Sequence, residues 1–287
     1  MSDDAAYLHA LADLHLCLAR AFLPPMAPGF AAAFQSDLVD DLDAIAAELS
    51  FACGEPAGFL RDSLQALAGP DHLLQTYSAL FLQPPIRVPL NASVHLDGSL
   101  LGPSARAMED AYRRHGLEPS SGLRDLPDHL SRLLEFVGIL FARAAGAVEA
   151  GDDPSAGMLL GEAREFSASF LRPWLPGVAV DIRGVCIDLD LPMPYQHLAE
   201  LAVIAVWEGD AWRQGGDAAH ASTGRNVRRT LCSACGKPFA EDAAVVAVRR
   251  IMDKRGLATA HLDRCPDCRG LADHGPQQTL SLPACSI

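Results

Sequence analysis

Apolar residues return with a helical period through most of the first part of the chain. Leu8, Leu11, Leu18 and Phe22 fall on one stripe and predict a helix over 5–23, stopped by Pro24, Pro25 and Pro28. Phe34, Leu38, Leu42, Ile45 and Leu49 predict a second over 30–51, and 57–68 a third. Asp71 is placed to cap a fourth, which runs to about Leu82 before Pro84-Pro85. The period then disappears. Residues 84–103 are rich in Pro, Asn, Ser and Gly and read as a long ordered loop with a short extended piece at 86–96. Loops of that length are often functional.

Helical spacing resumes over 104–116, closed by Gly116. The clearest helix spans 126–148: Leu130, Leu133, Val137, Leu140, Phe141 and Ala144 share a face, and Asp125 or Asp128 caps the start. Leu159, Ala163, Phe166 and Phe170 predict another over 154–171, and Pro173 and Pro176 then break the chain. A last helix over 194–213 is apolar nearly all round and therefore central. With Ala and Leu abundant and aromatic residues at only 6%, the pattern predicts an all-α helical bundle over 1–213.

Charge divides the chain in a different way. Residues 1–213 hold 13 Lys and Arg against 29 Asp and Glu, a balance of −16; residues 214–287 hold 10 against 7, a balance of +3. The acidic body disfavours nucleic acid and attracts cationic partners. Gly215-Gly216 and the aperiodic stretch around them read as a linker over 214–230, and 231–287 as a separate module, with Val245, Val246 and Val248 suggesting a short strand.

That module carries Cys232-Ser-Ala-Cys235-Gly and Cys265-Pro-Asp-Cys268-Arg-Gly, with 29 residues between the pairs. Two residues between cysteines let both sulfurs face one ion, and two such knuckles complete a tetrahedral all-sulfur site. The expected occupant is structural zinc in a zinc-ribbon-like fold. All four positions are filled by protein, which leaves no place for a reacting water. A module this small needs the metal to fold. The other cysteines, Cys17, Cys53, Cys186 and Cys285, are too sparse for a disulfide framework, and Cys17 reads as a buried thiol.

The loop and its flanks hold a second set of residues. Tyr77-Ser-Ala-Leu-Phe81 ends one helix; Pro84, Pro85, Pro89 and Ser93-Val-His95-Leu96-Asp97-Gly98 follow; Pro127-Asp128-His129-Leu130 opens the 126–148 helix. Singly these are ordinary: Tyr77 and Phe81 suit a core, Asp128 a cap, and His129 the first turn, where the helix dipole opposes protonation. Together, in this order and spacing, they resemble the TorD/DmsD/NarJ family of redox-enzyme maturation chaperones over about residues 5–212. The chain departs from that pattern in having no residue between Pro127 and Asp128, and in Asn91, Ala92 and His95 around the loop serine.

The resemblance implies an all-helical, non-enzymatic chaperone. It implies binding of the twin-arginine signal peptide and apo form of a molybdenum-cofactor oxidoreductase. It transfers signal-peptide binding to Asp128 and His129, and shaping of the adjoining groove to Tyr77, Phe81, Pro89, Ser93 and Leu130. An arginine of the leader is expected against Asp128, with Phe81, Leu96 and Leu130 as apolar walls. No organic cofactor is expected, and a homodimer is left open.

Other classes find less support. There is no His-Glu-x-x-His, Gly-x-Ser-x-Gly, phosphate loop or dinucleotide glycine string. The alternative is a helical adaptor or regulator whose zinc ribbon grips nucleic acid or a protein complex, using Arg225, Arg228, Arg229, Arg249, Arg250, Lys254 and Arg255. The acidic N-terminus lacks a signal-peptide pattern, and no run of about 18 apolar residues occurs, so the expected location is the cytoplasm, without membrane insertion.

Overall fold

The computed structural model describes residues 3–26, 29–49, 54–117, 126–214, 229–234, 238–241, 249 and 259–264. The chain divides into two compact units, Met1–Gly216 and Asp217–Ile287. The described part of the first unit is built from helices: α1 (Asp3–Ala21), α2 (Phe30–Gln35), α3 (Asp37–Glu48), α4 (Gly54–Gln65), α5 (Pro70–Tyr77), α6 (Ala92–Leu96), α7 (Pro103–Arg114), α8 (Leu130–Glu149), α9 (Asp153–Phe170), α10 (Leu175–Asp188) and α11 (Pro194–Gln214). The bundle is all-α, as the periodicity predicts.

The centre is α1 against α8, with α9 on the other side of α8 and α11 touching α1, α4 and α10. The α8 stripe is buried as the sequence indicates: Leu130, Leu133, Val137, Leu140, Phe141 and Ala144 are all in the core. Gly138 is where α1 comes closest. A Cβ there would lie 3.1 Å from Leu16 Cγ and 3.2 Å from the Ala12 carbonyl oxygen and His15 Cβ. His15 is buried in this seam, its Nδ1 donating to the Leu11 carbonyl at 2.8 Å and its ring 5.2 Å from that of Phe141. Burial holds its pKa down at about 4.

Four expectations change. The 30–51 helix is two helices, because Ser36 leaves the regular path and its hydroxyl bonds Asp37 Oδ1. The fourth helix begins at Pro70 behind Gly69 rather than at an Asp71 cap, and a π-helical turn over Ser78–Leu82 ends it. The 84–103 loop holds a short helix, α6, where an extended piece was expected. The stretch after Pro173 is α10, with Pro176 in the first turn, where a missing N–H removes no helical bond. Leu175, Val178, Ile182 and Cys186 form its buried stripe. Cys17 is half-buried, and burial pushes its thiol up to about 11.

In the second unit, β1 (Arg229–Leu231) pairs antiparallel with β2 (Pro238–Glu241), and a 3-10 turn covers Ala260–Asp263. Thus β1 begins inside the stretch expected as linker. Gln214 of that linker is the last residue of α11; residues 215–228, the strand expected around Val245–Val248, and Cys235, Cys265 and Cys268 lie outside the described residues.

Candidate functional site

The loop and the head of α8 are joined by backbone. Asn91 and His129 form an isolated antiparallel bridge: Ala92 N donates to the Asp128 carbonyl and Leu130 N to the Leu90 carbonyl, each at 2.8 Å. The Asp128 side chain then turns back onto the start of α6. Its Oδ1 accepts from Asn91 Nδ2 at 3.0 Å, and its Oδ2 accepts from Ser93 N at 3.2 Å and from the Ser93 hydroxyl. Asp128 is 0% exposed. A buried carboxylate is tolerated only when donors surround it, and here the loop supplies them.

Ser93, also buried, passes the constraint on. Its Oγ accepts from Leu101 N at 3.0 Å. Leu101 sits at φ 56, in the left-handed region that L side chains avoid, and is 51% exposed. Leu100 beside it is equally exposed. The buried Asp128–Ser93 pair therefore holds two apolar side chains in solvent.

Asp97, which follows α6, closes the second half of the loop by accepting from Ser104 N at 3.0 Å and Ser104 Oγ at 2.5 Å at the head of α7. His95 donates from Nε2 to the Pro89 carbonyl at 2.9 Å and stacks on Trp174, rings 4.7 Å apart. Tyr112 of α7 donates to the Pro127 carbonyl at 2.8 Å, and burial pushes its phenol well above the usual range.

The sequence-predicted residues thus separate by role. Asp128, Ser93 and His129 come together through the Asp128–Ser93 bonds and the Asn91–His129 bridge, whereas Pro89 is tied to His95. Leu130 lies among them but is fully buried in the α8 stripe. Tyr77 and Phe81 are core: their rings meet edge to face at 4.9 Å, both meet Tyr195, and the Tyr77 hydroxyl donates to the Phe22 carbonyl. His129 is the residue that caps α8, rather than occupying its first turn, with Nδ1 accepting from Ser131 N at 3.2 Å. That bond places the proton of the neutral ring on Nε2. Leu100, Leu101 and Trp174 of this assembly are not among the residues to which the sequence pattern points. Gly98-Ser-Leu100-Leu101-Gly102 was the available signal, an apolar pair between glycines in an otherwise polar loop.

The fold and the site are thus those of an all-α bundle with a long loop fastened to it by the buried Asp128–Ser93 pair. The chain belongs to the nitrate reductase delta subunit family, the NarJ/TorD-type chaperones, whose profile matches residues 37–180. That stretch contains the whole loop and the Asp128–His129 pair. A solved structure of a protein named for redox enzyme maturation, from Archaeoglobus fulgidus, is similar at 18% identity and a TM-score of 0.38, over 62% of this chain and 93% of that one. No curated protein matches the chain. Among the described residues no helix is long and apolar enough to cross a membrane.

Proposed function

We propose that this redox-enzyme maturation chaperone binds the twin-arginine signal peptide and apo form of a molybdenum-cofactor oxidoreductase in the cytoplasm, and releases it for export once the cofactor is loaded. The supporting observation is the Asp128–Ser93–Leu101 relay. It holds Leu100 and Leu101 exposed at the expense of a left-handed backbone, and strain of this kind persists where the surroundings enforce it. On this reading Asp128 acts as a positioning residue beneath the surface, and the apolar part of the leader lies on Leu100 and Leu101. The −16 balance of the first 213 residues draws in the arginines.

The test is a titration of the full chain with a fluorescent twin-arginine leader. Affinity on the order of micromolar is expected, weakening with salt. Leu101→Asp should reduce it about tenfold with the fold unchanged, since the side chain is exposed. A protein that ignores every such leader at low salt ends the proposal.

For the second unit, Cys232, Cys235, Cys265 and Cys268 are proposed to hold one structural zinc. Support comes from Cys232, which directly follows β1, and from Ser233 N donating to the Asp263 carbonyl at 2.7 Å, two positions before Cys265 in sequence. Arg249 pairs with the same Asp263 at 2.5 Å. Metal analysis should return about one zinc per chain, and a Cys232→Ser chain that retains it stoichiometrically would exclude this ligand set.

A further inference from the structure

Acid and apolar surface meet in a second place, between α7 and α9, where a cavity of about 610 Å³ opens. Its floor is Ala111, Phe166 and Phe170, and Met158, 67% exposed, stands at one end. Asp110, Glu162 and Glu165 outnumber Arg114 around it. Asp110 is engaged by Arg113 at 2.6 Å, and Glu162 by His115 at 2.8 Å and Arg114 at 3.4 Å. Glu165 is exposed and has no ion pair among the described residues. Width comes from Gly161, where a Cβ would meet nothing within 4 Å.

The walls decide what can lie there. Both are helices whose backbone groups are already bonded within themselves, so the cleft has no strand edge to offer. An occupant must satisfy its own backbone, which selects a helix over an extended chain. From Met158 to Phe170 the α9 wall runs about 18 Å at 1.5 Å per residue, room for about three turns. The carboxylates disfavour nucleic acid and anionic lipid.

We propose that this groove receives an amphipathic helical segment of a client polypeptide. The segment lays leucine-like side chains on Phe166, Phe170 and Met158 and sets a cationic side chain against Glu165, the groove carboxylate without an ion pair among the described residues. Identifying that segment with the twin-arginine leader rests on the function proposed above; the groove is then a second contact beyond the Leu100–Leu101 tip. The two are near in chain order, because α7 begins at Pro103 and Ala107 is among the residues that line the groove.

The experiment uses the full chain with its metal and a labelled peptide bearing adjacent arginines followed by a leucine-rich stretch. Gly161→Leu fills the groove from a helical position with open space and improves helix propensity, so the fold is retained. It should weaken binding about tenfold. Met158→Glu, at an exposed position, should do the same and guards against an unexpected folding defect in the first variant. Glu165→Gln should cost about threefold at low salt and nothing at high salt. If the wild-type chain binds the peptide and both Gly161→Leu and Met158→Glu bind it equally well, the groove assignment fails while the leader reading stands. If the wild-type chain does not bind it, both fail. If sedimentation shows a dimer that Gly161→Leu dissolves without changing peptide affinity, the occupant is a second copy and the proposal is overturned.

Discussion

At the seam between α1 and α8, two helices meet over a glycine, and a polar side chain caught there, His15, is kept neutral by its surroundings. The loop from Val88 to Ser104 meets the same bundle by the opposite means. Its backbone bridges Asp128 to Leu130, its α6 head is bound by a buried carboxylate, and its far end is bound by an exposed one, Asp97. The seam tolerates apolar change of similar volume and resists charge. The loop requires its charges and exposes its apolar residues. A surface built to hold Leu100 and Leu101 in water cannot be stabilised by burying them, so its order has to come from hydrogen bonds beneath.

The comparison breaks most visibly at Asp128. Asp128→Ala removes the acceptor for Asn91 Nδ2, Ser93 N and the Ser93 hydroxyl and leaves these donors buried, at a cost of about 3–5 kcal/mol. Hydrogen exchange should show the Ser93 and Leu101 amides losing protection while α1 and α8 keep theirs. Asp128→Asn should weaken leader binding with a salt slope parallel to wild type, because the residue positions the loop and does not touch the peptide. A flattened slope would restore a direct pairing with arginine.

The seam should fail through pH. His15 binds its proton at about 4 in the fold and near 6.5 when unfolded. Above pH 6.5 the ring is neutral in both states and its full contribution is present. As pH falls from 6.5 to about 4, the unfolded chain takes up a proton that the fold refuses, and about 3 kcal/mol is lost. Below that range this group removes nothing further. His15→Leu should abolish that part of the acid dependence in denaturant midpoints measured across the range. It should cost little at neutral pH, since Nε2 has no hydrogen-bond partner to lose and the Leu11 carbonyl bonded by Nδ1 lies inside α1, where it keeps its helical N–H partner. Identical pH profiles for the two proteins would show that the ring is not buried neutral.

What was legible follows the same division. The α8 stripe could be read because burial repeats at a local period. The α10 stripe is there too, Leu175 to Cys186, but Pro173 and Pro176 read as breakers, although a proline in the first turn is compatible with a helix. The Asp128–His129 pair could be read as important from its resemblance to a family, but its use could not. The carboxylate taken as a cap for the following helix caps another one, 35 positions back in sequence at Ser93, and no local spacing encodes that partnership. Leu101 was illegible because leucine has no preference for the left-handed region it occupies. The four cysteines were legible as a pattern, and Cys232 alone falls among the described residues.

A moderate effect is expected from closing the seam's glycine. Gly138→Val places methyl groups where Leu16, His15 and the Ala12 carbonyl already stand at 3.1–3.2 Å, forcing α1 outward for about 2 kcal/mol and a lower melting temperature. An unchanged melting temperature would mean that α1 slides freely over α8.

The smallest effect gives the sharpest view of the loop. Gly102 has an ordinary φ of −68, so nothing in its backbone demands glycine. What demands it is Asp97, whose Cγ would lie 2.7 Å from an added Cβ. Gly102→Ala should push that carboxylate off Ser104 and cost about 1 kcal/mol, the value of a helix cap. If the clash is the cause, the same substitution in an Asp97→Gly background, which removes both the Cβ and the carboxylate that stand in the way, has nothing to collide with and should be neutral. The two changes should then be strongly non-additive in denaturant unfolding. Additive losses would locate the need for glycine elsewhere, and the seam and the loop would differ less than their hydrogen bonds imply.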